Sequence, residues 1–158
     1  EKTGALLGCA LQLGAMAGAC SAADAQAFRQ FGEEIGVAFQ IQEDIQTLWG
    51  EPLYGRPKGS DILNKKKVFP VVHALEYAPL NRKRELGTLF FKRVLEPPDL
   101  DHVLAILDSL DTRASAQRLA HELYDRAITH LKELKITAQG GDDLIGAAGW
   151  LALRDKIP

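Results

Sequence analysis

Between Gly4 and Cys20 the chain reads GALLGCALQLGAMAGAC, without one charged side chain. A run of this kind either crosses a bilayer or lies inside a helical core. Ala and Gly dominate it, Gln12 sits at its centre, and Leu and Ile are few, so membrane insertion is only marginally favourable. Gly4/Gly8 and Gly14/Gly18 recur at four-residue spacing, which lets another helix approach closely. We therefore expect a buried core helix and no integral membrane span.

The remainder reads helical as well. Residues 24–49 form one long candidate with Asp24 near its start and Gly50 and Pro52 beyond its end. A loop rich in Gly, Pro and Lys is expected from Gly50 to Asn64, then a short helix from Val68 to Tyr77 ended by Pro79. Helices are expected over 81–95, 99–110, 112–135 and 141–153, separated by Pro97-Pro98, Asp111 and Gly140-Gly141. Ala116, Leu119, Leu123, Ala127, Leu131 and Leu134 recur at three- and four-residue steps, an amphipathic stripe. No alternating strand pattern and no solenoid period occurs. The fold class is all-α, in one domain over 1–158.

Composition excludes several classes. With 46% hydrophobic residues and a net charge of −2, the chain has the means to fold and is not disordered. A pI near 6.1 argues against general nucleic-acid binding. Cys9 and Cys20 would stand roughly 16 Å apart on one helix, beyond disulfide reach, which favours a reducing, cytoplasmic setting. The chain opens at Glu1 without an initiator Met or a cap residue, and we read this start as the middle of something longer.

The chemically informative stretch is Phe39-Gln40-Ile41-Gln42-Glu43-Asp44-Ile45-Gln46-Thr47-Leu48-Trp49-Gly50-Glu51. At 100° per residue, Glu33, Gln40, Asp44, Thr47 and Glu51 fall on one narrow arc, flanked by Glu43. Apolar residues take more than half of the remaining circumference, the inverse of a solvated helix. The arc is either a surface strip or a polar face turned to a cavity, where carboxylates need pairing or cations. Downstream stands a cationic group, Arg56, Lys58, Lys65, Lys66 and Lys67, with Asp61 inside it; upstream stand Lys2 and Thr3. Such a lysine loop is either simply solvated or part of an anion site. Mg²⁺ commonly binds through one or two carboxylates plus substrate phosphates, and Lys and Arg neutralise the remaining phosphate oxygens. Trp49 is expected in core packing, and His73, His102, His121 and His130 show no ligand spacing.

On these residues the chain resembles the C-terminal half of the trans-isoprenyl diphosphate synthases, or polyprenyl synthetases. The resemblance is carried by KTGALLGCA, by FGEEIGVAFQIQEDIQTLWGEPLYGRPKGSDILNKKKVFPVVHALE and by the later Ala-rich helices. It implies an isoprenoid-synthase-type helical bundle and the prenyltransferase reaction of an allylic diphosphate with isopentenyl diphosphate. The family's second aspartate-rich motif, a Mg²⁺ site, falls on Glu43 and Asp44, with its third acidic position on Thr47. Lys2, Thr3, Gln40, Arg56 and Lys66 match positions that contact the allylic diphosphate, Lys2, Gln40 and Lys66 being the catalytic set. Asp61 matches an aspartate expected to support them.

Two departures stand out. Glu43 replaces the motif's first Asp, and its extra methylene moves the carboxylate outward. Thr47 offers a hydroxyl in place of the third charge; some branches of the family keep an acid one turn later, where this chain has Glu51. The first aspartate-rich motif, the isopentenyl diphosphate pocket and the determinants of product length lie in the family's N-terminal half, so the chain alone looks incomplete for catalysis. The resemblance also implies a homodimer, or pairing with that N-terminal half. Two alternatives remain at this stage. Glu43-Asp44-x-x-Thr47-x-x-x-Glu51 resembles a terpene cyclase metal motif, and the altered acids suit a non-catalytic, regulatory subunit.

Overall fold

A computed structural model describes residues 2–51, 57–134 and 136–153. Among them there are eight helices and no strand: α1 (Lys2–Ala17), α2 (Ala22–Trp49), α3 (Ser60–Leu63), α4 (Phe69–Tyr77), α5 (Leu80–Phe91), α6 (Pro97–Ser109), α7 (Thr112–Lys132) and α8 (Ala138–Ala152). The all-α expectation holds. No helix among the described residues is long and apolar enough to cross a membrane. The chain divides into two compact units, residues 1–42 with 118–158, and residues 43–117.

In the first unit, α1 is not the buried core helix expected, since only Gly4 and Gly8 are buried while Leu6, Leu13 and Met16 are exposed; it lies against α2 glycine to glycine. A Cβ placed on Gly36 would sit 2.6 Å from the Gly4 Cα, and one on Gly32 would sit 2.8 Å from the Gly8 Cα. The absence of side chains at these four positions lets the two backbones touch. The Gly14/Gly18 repeat does nothing comparable. Nothing lies within 4 Å of a Cβ at Gly14, and Gly18 follows the helix end, with Ala19 at φ 57 turning the chain into α2. Ala25, Phe31, Ile35, Ala38 and Ile41 of α2 are buried, as are Leu123, Ala127 and Leu131 of α7. Buried Gln42 and half-buried Glu34 of α2 both reach partners within this unit. Gln42 Nε2 donates to the Ala152 carbonyl at the end of α8, and Glu34 pairs with Arg126 at 3.2 Å.

The second unit is built on Leu48, Ile62, Val71, Leu86, Val103, Ile106 and Leu107, with Trp49 packed on that core and donating its indole N–H to Asp108 at 2.7 Å. Trp49 is a packing residue, as expected. The segment read as a loop from Gly50 to Asn64 contains the single turn α3, seeded by Gly59. Gly59 has φ +70, donates to the Thr47 carbonyl at 2.8 Å, and leaves no room for a Cβ beside Leu100.

Two expected breakers turn out to be helix starts. Pro97 and Pro98 occupy the first turn of α6, where a missing N–H costs nothing, and Glu96 and Asp99 close a reciprocal capping box around them. Gly140-Gly141 lie inside α8, whose cap Thr137 accepts the Gly140 N–H; Asp142-Asp143 therefore follow the first turn and do not begin the helix. The helix expected over 81–95 closes at Phe91. Lys65, itself at φ 54, donates its ammonium to the carbonyls of Phe90 and Lys92 and caps that end.

Two carboxyls make this unit acid-sensitive. A hydrogen bond from Arg82, then one from His102, hold Glu85 below its ordinary 4.5. Hydrogen bonds from Lys92, then from the Glu96 N–H, hold Asp99 below its ordinary 3.8. Their stabilisation is present above those ordinary values and is lost as pH falls through the lowered ones. Thermal melts should therefore decline modestly below about pH 4.5, since these ion pairs are partly exposed, and Glu85→Gln with Asp99→Asn should flatten that decline while slightly lowering stability near neutrality.

Candidate functional site

The acidic arc can be followed along α2. Asp44 is only 7% exposed, and its Oδ2 accepts the Phe69 N–H at 2.7 Å. That bond has a local cause. The residue before α4 is Val68, which has no side-chain oxygen to cap the helix, so an aspartate from α2 serves instead. The partial positive charge at the α4 N-terminus also favours the Asp44 carboxylate. Glu43 is half-buried beside it. Thr47 donates its hydroxyl to the Glu43 carbonyl at 2.8 Å, an i−4 bond within the helix.

Glu51 departs from the sequence reading. Helix α2 ends at Trp49, so Glu51 is exposed beyond the helix and does not extend the arc. Glu33 also leaves the acidic set, because it is ion-paired with Arg29 at 2.8 Å.

Mg²⁺ would meet hard oxygen donors here, namely Glu43 and Asp44, with Thr47 able to add a neutral one. Among the described residues no group of three or more His, Cys, Asp or Glu could hold a metal ion. Two carboxylates and a hydroxyl suit a cation whose remaining ligands come from phosphate oxygens or water.

Of the cationic cluster, Lys66 reaches Asp61 at 2.5 Å. Asp61 is almost fully buried while the lysine side chain remains 56% exposed, so a fixed carboxylate tethers an ammonium still open to solvent. Lys65 is spent on the end of α5, Lys58 and Lys67 are exposed, and Arg56 lies outside the described residues.

In the first unit, Thr3 and Gln40 meet although 37 residues separate them in sequence. The Thr3 hydroxyl donates to Gln40 Oε1 at 2.9 Å, and Lys2 stands exposed in the same first turn of α1. The same unit holds an apolar hollow of about 210 Å³ walled by Leu7, Leu11, Phe31, Ile35, Leu144 and Leu151. With no polar side chain in its lining, it suits hydrocarbon and nothing charged.

Sequence reasoning missed the capping roles of Asp44 and Gln42. The signal for Asp44 was present in Val68, an apolar residue directly before a helix, which requires a cap from elsewhere.

Comparison with known proteins adds the family. The polyprenyl synthetase model matches residues 1–107. A geranylgeranyl diphosphate synthase of Mycobacterium tuberculosis is 32% identical over 156 residues, covering 98% of this chain and 43% of that protein. A polyprenyl synthetase of Streptomyces coelicolor A3(2) aligns with a TM-score of 0.87 at 25% identity, over 96% of this chain and 47% of its own. A geranylgeranyl pyrophosphate synthase of Corynebacterium glutamicum, solved with calcium and isoprenyl diphosphate, aligns at 0.81 and 27% identity, over 98% of this chain and 48% of its own. The chain thus spans less than half the length of each of these relatives. With the helices, the acidic pair of α2 and this agreement over nearly its whole length, the chain belongs to the polyprenyl synthetase family.

Proposed function

We propose that this chain carries the allylic-diphosphate side of a trans-prenyltransferase, which joins an allylic diphosphate to isopentenyl diphosphate and yields a longer isoprenyl diphosphate. The observation that carries the reading is the Thr3–Gln40 hydrogen bond. Two residues assigned to the diphosphate from separate parts of the sequence are direct neighbours. The Corynebacterium relative, solved with a divalent cation and an isoprenyl diphosphate, supports the same substrate class.

Lys2, Thr3, Gln40, Arg56 and Lys66 then take diphosphate oxygens, the cations balancing charge that builds as the allylic C–O bond breaks. Asp61 holds Lys66 in place for that task. Glu43 and Asp44 would hold Mg²⁺, with Thr47 beside them. The ion, when bound, supplies Lewis-acid stabilisation of the leaving diphosphate. Asp44 enters this role already oriented by the Phe69 N–H. Apolar walls keep water from the allylic cation until the isopentenyl double bond attacks and a proton is lost. Two free cysteines accord with a cytoplasmic enzyme, and we assign it a homodimeric state on the family likeness.

Because this chain spans less than half of its relatives, the test is incubation of the full-length protein with labelled isopentenyl diphosphate, Mg²⁺ and allylic diphosphates of increasing length. Elongated diphosphates are expected. Hydrocarbons or alcohols formed without isopentenyl diphosphate would make it a cyclase, and no turnover would make it a non-catalytic subunit. Lys66→Ala should raise KM for the allylic diphosphate by about tenfold or more, the worth of one charge-assisted hydrogen bond.

A further inference from the structure

Helix α5 shows the surroundings a face that its own core does not need. Leu86 and Leu89 are buried, whereas Leu80, Arg84, Gly87 and Phe91 share the opposite side at helical spacing. Phe91 is 91% exposed, Val94 beyond it 68%, and Leu80 62%. Single exposed apolar side chains are ordinary on a protein surface, but several projecting along one helix and its continuation mark a contact site.

Charge defines the partner. From Leu80 to Val94 there are five basic residues, Arg82, Lys83, Arg84, Lys92 and Arg93, against the one acid Glu85, in a chain whose net charge is −2. Three of the five are engaged within the fold: Arg82 with Glu85, Lys92 with Asp99, and Lys83 with the Glu76 carbonyl. Arg84 and Arg93 enter no ion pair among the described residues, and both flank Phe91 in sequence or on the helix face.

We propose that this face of α5, with the turn that follows it, docks on an anionic lipid surface. Phe91, Val94 and Leu80 enter the headgroup boundary while Arg84 and Arg93 meet lipid phosphates. A folded protein partner is less well matched. The hollow lined by Arg84, Gly87, Thr88 and Phe91 is shallow and open to solvent, and Phe91 is 91% exposed at its wall. The inference stands apart from the prenyltransferase reading, since it uses none of the residues assigned there.

Flotation of the protein with vesicles of phosphatidylcholine alone, and of phosphatidylcholine mixed equally with phosphatidylglycerol, tests it. Binding is expected to the anionic vesicles only, and to weaken as salt is raised. Arg84→Gln with Arg93→Gln should lower partitioning on the order of tenfold, and Phe91→Ser should lower it by a comparable factor. These side chains are exposed, so the melting temperature should not move. Equal binding to both vesicle types, or binding to neither, overturns the proposal. So does a concentration-dependent dimer in sedimentation that Phe91→Ser abolishes, which would assign the face to a second copy of the chain.

Discussion

Gly36→Ala should destabilise the protein by about 3 kcal/mol, at the upper end of overpacking costs, and lower its melting temperature by roughly 10 °C. The new methyl would meet the Gly4 Cα at 2.6 Å, the Gly4 nitrogen at 2.8 Å and the Thr3 carbonyl oxygen at 2.9 Å. All three are backbone atoms that no rotamer change can remove, so α1 must lift from α2 or the helix must deform. Because Thr3 sits in the turn that would lift, the bond to Gln40 should break and diphosphate affinity should fall with stability. Gly14→Ala is the matched control. With nothing within 4 Å, it should be neutral or stabilise by about 0.5–1 kcal/mol. Calorimetric melts of the two variants decide the matter, and equal melting temperatures would refute the backbone contact.

Replacing Asp44 should produce two separable losses. Asp44→Ala removes the acceptor of the Phe69 N–H and leaves α4 without a cap, at a cost of about 2 kcal/mol. From sequence alone this substitution is expected to spare helicity while weakening Mg²⁺-dependent diphosphate binding; the hydrogen bond to Phe69 shows that it also disturbs the fold. Asp44→Asn is the cleaner probe, since the amide oxygen still accepts that N–H while the charge is gone. It should retain most of the stability yet lose on the order of a hundredfold or more in turnover, the worth of several kcal/mol of charge stabilisation. Calorimetric titration of the Asn variant with Mg²⁺ and a diphosphate analogue supplies the second readout. Unchanged affinity there would remove Asp44 from the cation site.

The long helix of residues 24–49 was legible because its signals are local: a small polar start, a wide apolar face and a stop at Gly50 and Pro52. Gly4 and Gly8 were legible for the same reason, yet Gly14 and Gly18 carry the identical spacing and meet no facing helix. What separates the two pairs is the presence of Gly32 and Gly36 on the facing helix, which spacing within α1 cannot reveal. Pro97-Pro98 misled because proline halts a helix that precedes it and starts one that follows it, and only the Glu96–Asp99 box decides between the two. At the site, residue types and order were readable, and the Thr3–Gln40 contact agrees with them. Glu51 was misplaced because a fixed 100° step assumes that the helix continues past Trp49.

The bond between Asp44 and the α4 backbone divides the acidic motif into parts with unequal freedom. On the proposed reading position 44 would hold an ion as well as a peptide group, so a substitution that removes the acceptor oxygen would also leave α4 without its cap. The Thr47 hydroxyl bonds within its own helix, to the Glu43 carbonyl, so a hydroxyl can settle at that position without disturbing α4. Laboratory drift imposed on this protein should therefore wear the motif away from its margins inward, with the central carboxylate the last to go.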